Sequence, residues 1–135
     1  MTYPITDIEG IGPAVADRLK GMRIRTTTRL LEVAKNPRGR KVLAAKTGID
    51  SARILKWANL ADMMRIKGIG EEYSELLEAA GVDTVRELKH RNPKKLAEAM
   101  AAANARRKLV RLLPSESTIK KWIAQASSLP LKITY

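Results

Sequence analysis

The stretch Ile8-Glu9-Gly10-Ile11-Gly12 returns 58 positions later as Ile66-Lys67-Gly68-Ile69-Gly70. Two glycines flanking an isoleucine suit a tight turn where backbone closely approaches another group. Glycine reaches positive φ and carries no side chain. The isoleucine between them is expected to point inward and pin the turn to a core. Each copy runs into a helical pattern, with Val15, Ala16 and Leu19 after the first and Tyr73, Ser74 and Leu77 after the second. The turn therefore delivers the chain to a helix N-terminus, where unsatisfied N–H groups and the positive dipole end attract an anion.

Punctuation elsewhere obeys the same grammar twice. Asn36-Pro37 and Asn92-Pro93 each read as a cap followed by the first helical residue. Thr26, Thr27 or Thr28 caps a helix reaching about residue 35, and Thr84-Val85-Arg86-Glu87 is a capping box. Pro13 opens the helix after the first turn, and Gly21 and Gly81 read as stops. Thr47-Gly48-Ile49-Asp50-Ser51 reads as a degenerate second hairpin, with Asp50 capping a helix over 51–65. The alanine-rich segment from Lys94 is expected to stay helical to Leu109 or Leu112, with Pro114 stopping it and Ser115 or Ser117 starting the last helix. Trp57 and Trp122 both follow an Ile-x-x-Trp pattern at core spacing. Seven to nine short helices, no convincing strand and an internal repeat of about 60 residues predict an all-α fold.

Gly-h-Gly (h, apolar) between helices, with a small and an apolar residue on the second helix, resembles the helix-hairpin-helix motif. Taken together, residues 8–128 resemble a bacterial family of duplicated helix-hairpin-helix domains of unassigned function. They are more distantly similar to helix-hairpin-helix domains of recombinases and to the C-terminal domain of the RNA polymerase alpha subunit. The resemblance implies a tandem helix-hairpin-helix (SAM-like) repeat in one compact multi-helix body. Its units would be residues 1–65 and 66–128, followed by a tail over 129–135 that is extended or loose. The helix over 51–65 would be shared between units through Leu60, Met63, Met64 and Ile66. The resemblance also implies nucleic-acid binding without sequence preference, through hairpin amides on backbone phosphates.

Charge agrees with that expectation. The chain carries 26 Lys+Arg against 14 Asp+Glu, a net +12 over 135 residues. Such an excess favours polyanionic partners, duplex DNA first among them. No apolar run approaches the roughly 18–20 residues that span a membrane, and the first residues do not read as a secretory signal. Without cysteine, disulfide and thiolate chemistry are excluded, and a cytoplasmic location is the default expectation.

Within that frame the binding candidates are Gly10, Ile11, Gly12 and Ala14 at the first hairpin, with Arg18, Lys20, Arg23 and Arg25 beyond it, and Lys67, Gly68 and Gly70 at the second. Pro13 has no N–H to offer. The second hairpin leads into Glu71, Glu72, Glu75 and Glu78; Glu71 and Glu72 themselves occupy the positive helix end and repel a phosphate. Further basic clusters are Arg23/Arg25/Arg29, Arg38/Arg40/Lys41 and Arg106/Arg107/Lys108/Arg111, either solvated faces or a phosphate-tracking surface. Scarce aromatics disfavour stacking on single strands. His90 is the only histidine and reads as a helix-end residue; no metal-ligand spacing, cofactor, catalytic group or small-molecule substrate is expected. The competing expectation is a protein adaptor, self-associating or using the acidic helix over 71–80 as a docking face for a basic partner.

Overall fold

In the computed structural model, which describes residues 2–135, the chain forms eight α-helices and no strand among the described residues. They are α1 (Pro13–Gly21), α2 (Thr27–Ala34), α3 (Pro37–Thr47), α4 (Ser51–Met63), α5 (Glu71–Ala79), α6 (Val85–Leu88), α7 (Pro93–Arg107) and α8 (Glu116–Ser128). A single 3-10 turn, Ile5–Asp7, precedes them. Most starts are capped by a short polar side chain. Thr26, Asn36, Asp50, Thr84, Asn92 and Ser115 each accept a bond from a first-turn N–H. The exceptions are α1 and α5, which begin at Gly12 and Gly70 with no side-chain cap.

The two turns repeat in detail. Ile11 N–H donates to the Ile8 carbonyl and Ile69 N–H to the Ile66 carbonyl, both at 3.1 Å. Gly10 and Gly68 hold φ of +94° and +95°. A Cβ on Gly10 would stand 3.1 Å from Trp57 Nε1, and one on Gly68 would stand 3.1 Å from Trp122 Nε1. Each turn is thus laid against the indole of the thirteen-residue helix that closes its half, α4 or α8. Ile11 and Ile69 point inward as expected, and both tryptophans are buried.

Two apolar clusters result. The first gathers Ile5, Ile11, Leu19, Leu30, Leu43, Ile54 and Trp57; the second gathers Ile69, Leu76, Leu88, Met100, Ile119 and Trp122. They divide at the end of α4. Met64 belongs to the first and Met63 to the second, so one helix end serves both cores. Polar groups reinforce the seam. Asp62 is buried; its Oδ2 accepts from the Val85 N–H of α6 at 3.0 Å and its Oδ1 meets Arg65 Nε at 3.1 Å. Arg65 then donates to the Pro130 carbonyl at 2.8 and 2.7 Å.

That carbonyl belongs to the tail, which is extended and attached. From the end of α8 it crosses back to the first half. Thr134 N–H donates to the Lys35 carbonyl at 2.8 Å, Lys132 pairs with Glu32, Ile133 packs on the first core, and Tyr135 Oη donates to Asn59 at 3.3 Å.

Gly21 is the last residue of α1, in keeping with an expected stop, and a corner follows it, with Arg23 at φ 62° and Ile24 N–H bonded back to the Leu19 carbonyl at 2.9 Å. One expected stop is corrected. The alanine-rich α7 stops at Arg107, short of Leu109. Lys108 turns left-handed, and the Asn104 side chain holds both the N–H and the carbonyl of Val110.

Gly10→Ala and Gly68→Ala should each cost about 1–3 kcal/mol, combining left-handed strain with displacement of an indole. Gly12→Ala, at φ −83° with open space around it, should stay within about 0.5 kcal/mol. Chemical denaturation midpoints check this ranking. Asp62→Ala strands Val85 N–H and removes one partner of Arg65, which keeps the Pro130 carbonyl, and should cost about 3 kcal/mol. Burial pushes the Asp62 carboxyl above its ordinary range, against the pull of the Val85 N–H and Arg65. The stability tied to this proton is therefore present below the ordinary carboxylate value and is lost as pH rises through the raised one. Asp62→Asn should flatten that part of the stability–pH curve.

Candidate nucleic-acid interface

The first hairpin stands open. Gly10, Gly12, Pro13 and Ala14 are exposed, and no group among the described residues accepts from the N–H of Gly10, Gly12 or Ala14. These donors surround the start of α1, whose nine residues aim the dipole's positive end outward. Arg18, Lys20, Arg23 and Arg25 are exposed along α1 and its C-terminal corner, with no ion pair among the described residues. Ile11 is buried beneath the turn, so it supports the amides and offers nothing to a ligand.

Arg23 occupies a particular place. It is one of two non-glycine residues with positive φ among those described, the other being Lys108. In the second half the same corner, with the same Val82 N–H to Leu77 carbonyl bond at 2.9 Å, is held by Gly81 at φ +94°. Lys108 likewise stands where the first half uses Gly48, at φ 73°. At both corners a cation sits in a conformation that favours glycine, at a cost of about 1 kcal/mol. Alignment of the copies puts Arg23 opposite Gly81, so this signal was present in the sequence; its meaning needed the dihedral.

The second hairpin is built differently. Gly68 is exposed, but Gly70 lies beside Tyr3, whose ring a Cβ would meet at 3.9 Å. Lys67 N–H is already bonded to Gln125 Oε1 at 3.0 Å. Glu71 and Glu72 follow in the first turn of α5. Burial first, and then the neighbouring Asp7, Glu9 and Glu72, push the Glu71 carboxyl above its ordinary range. Glu75 is raised by burial and by Glu9, against the pull of Arg107. The two turns therefore lie side by side across an acidic seam, a juxtaposition no local pattern reveals.

Three basic clusters were candidates for a continuous surface, and one is broken. Arg40 is buried, with Nη1 donating to the Ala34 carbonyl at 2.9 Å, Nη2 to the Thr134 carbonyl at 2.7 Å, and Tyr135 at 6.0 Å. It caps α2 and anchors the tail, so Arg38 and Lys41 are left without it. Arg107 is partly engaged with Glu75 at 3.7 Å, and Lys56 with Glu78 at 3.5 Å. These pairs draw two of the four α5 glutamates into intramolecular contacts. His90 is exposed beyond α6, and no group of His, Asp or Glu among the described residues is arranged to hold a metal ion. No described helix is long and apolar enough to cross a membrane.

No curated protein and no solved structure matches the chain. A family model described as domain of unknown function DUF4332 does match, over residues 9–129, from the first hairpin to just past α8; the chain belongs to that family.

Proposed function

We propose that the protein is a non-enzymatic binder of duplex DNA that grips backbone phosphates without reading sequence, on a tandem helix-hairpin-helix frame. The observation that carries this reading is the asymmetry of the two hairpins. The first offers uncapped, exposed amides followed by four exposed and unpaired cations. The second offers two carboxylates and a neighbouring tyrosine. Amides at a helix start orient a phosphate, and Arg and Lys displace its counterions. Such contacts supply affinity and register but no base identity. A left-handed Arg23 fits the same purpose, since a corner that tolerates glycine carries a guanidinium instead. The competing reading, docking of a basic protein on α5, retains only Glu71 and Glu72 outside intramolecular pairs.

Titration of duplex DNA at several salt concentrations should give log K against log[salt] a slope of about −2 to −4, at about −0.9 per phosphate neutralised. Affinity that ignores salt, or none at low salt, ends the proposal. Gly12→Glu should weaken binding about tenfold or more and Gly70→Glu clearly less; both backbones accept the change, with φ of −83° and −106°. The opposite ranking would assign the contact to the wrong hairpin. Arg23→Gly should raise folding stability by about 0.5–1 kcal/mol while reducing the salt slope by about one unit. Loss of both stability and binding would instead point to a folding defect.

A further inference from the structure

A groove of about 390 Å³ runs between the second hairpin and α8, lined by Lys67, Gly68, Thr118, Lys121, Trp122 and Gln125. Its walls are fixed. Gln125 accepts from the Lys67 N–H at 3.0 Å and reaches the Lys67 carbonyl at 3.5 Å, which ties the hairpin to α8. Trp122 is backed by Tyr73, ring centroids 5.4 Å apart, whose hydroxyl donates to the Leu112 carbonyl at 2.9 Å. Gly68 packs against the indole Nε1–H edge, which a Cβ there would meet at 3.1 Å. That N–H has no acceptor among the described residues, and Trp122 lines the groove. Lys67 and Lys121 are exposed at the rim, without an ion pair among the described residues.

The first half is built from different side chains at the same place. Its counterparts are Glu9, Gly10, Arg53, Lys56, Trp57 and Leu60. There the Arg53 guanidinium lies 5.1 Å over the Trp57 ring, Lys56 is drawn to Glu78 at 3.5 Å, and an acid stands where the second half has Lys67. The differences act in one direction. Thr118 replaces the guanidinium over the ring, Lys121 is left unpaired, and Lys67 adds a cation.

We propose that this groove binds a phosphoryl group, with Lys67 and Lys121 neutralising its charge and Trp122 Nε1–H donating to one of its oxygens. An indole N–H only donates and an ammonium only donates, so the site selects an acceptor-only anion. Two lysines match a phosphate's charge of about −2, and the volume falls within the roughly 300–1,000 Å³ range of small-ligand sites, enough for a mononucleotide. The groove stands on its own geometry, apart from the first-hairpin reading: Gly12→Glu should leave it unchanged.

The test is an NMR titration of the full ¹⁵N-labelled chain with inorganic phosphate and with a nucleoside 5′-monophosphate, at constant ionic strength against chloride. The Trp122 indole N–H signal should move saturably while that of Trp57 stays. Lys121→Glu should raise the apparent Kd by about tenfold or more, whereas Lys120→Glu, beside the groove but not lining it, should change it less than about twofold. Displacement of the mononucleotide by a short duplex identifies nucleic-acid backbone as the source of the phosphate; persistence identifies a free phosphorylated molecule. Absence of a saturable shift, an equal shift with chloride, or an unchanged Kd in Lys121→Glu overturns the proposal.

Discussion

Each half of the molecule is closed by an indole lying edge-on against a glycine. The spacing from Gly10 to Trp57 Nε1 and from Gly68 to Trp122 Nε1 is the same, and it leaves no room for a methyl group in comfort. This contact fixes how the closing helix meets the turn. The turn in turn fixes where α1 and α5 begin and which way their free amides face. A left-handed glycine alone would make a corner. A left-handed glycine pressed by a buried tryptophan makes one whose position relative to the core is determined.

Between the halves, the connecting helix does more than link. α4 gives Met64 to one core and Met63 to the other, and its Asp62 supplies a buried acceptor to the start of a four-residue helix in the second half. A helix as short as α6 has little stability of its own, so an external acceptor at its first turn matters. The desolvation of Asp62 is offset by Arg65, and Arg65 is held by the tail. Core, carboxylate, guanidinium and tail thus form one chain of dependence across the seam.

The starts of the helices were legible because a cap is a local event. Thr26, Asn36, Asp50, Thr84, Asn92 and Ser115 satisfy donors two or three residues away. The pairing of Trp57 with Trp122, and the inward turn of Ile11 and Ile69, followed from spacing in the same way. The end of α7 was not legible, because an alanine-rich run favours helix through Leu112, whereas the Asn104 clamp on Val110 depends on a fold-back that propensity does not encode. Arg40 read as a surface cation because the tail that covers it lies 94 residues away. The acidic seam was hidden for the same reason: Asp7 and Glu9 come to bear on Glu71 only once both halves are assembled. At the candidate interface, then, the sequence names the donors and cations, and assembly decides which of them a ligand can reach.

Part of the tail's hold runs through its main chain. Arg65 and Arg40 take the carbonyls of Pro130 and Thr134, and Lys35 takes the Thr134 N–H. Stitching of this kind is indifferent to the side chains of Pro130 and Thr134, whereas Lys132, Ile133 and Tyr135 hold through theirs. It also removes modularity: neither half can be lent to another protein as a spare part, since each is finished by residues the other supplies.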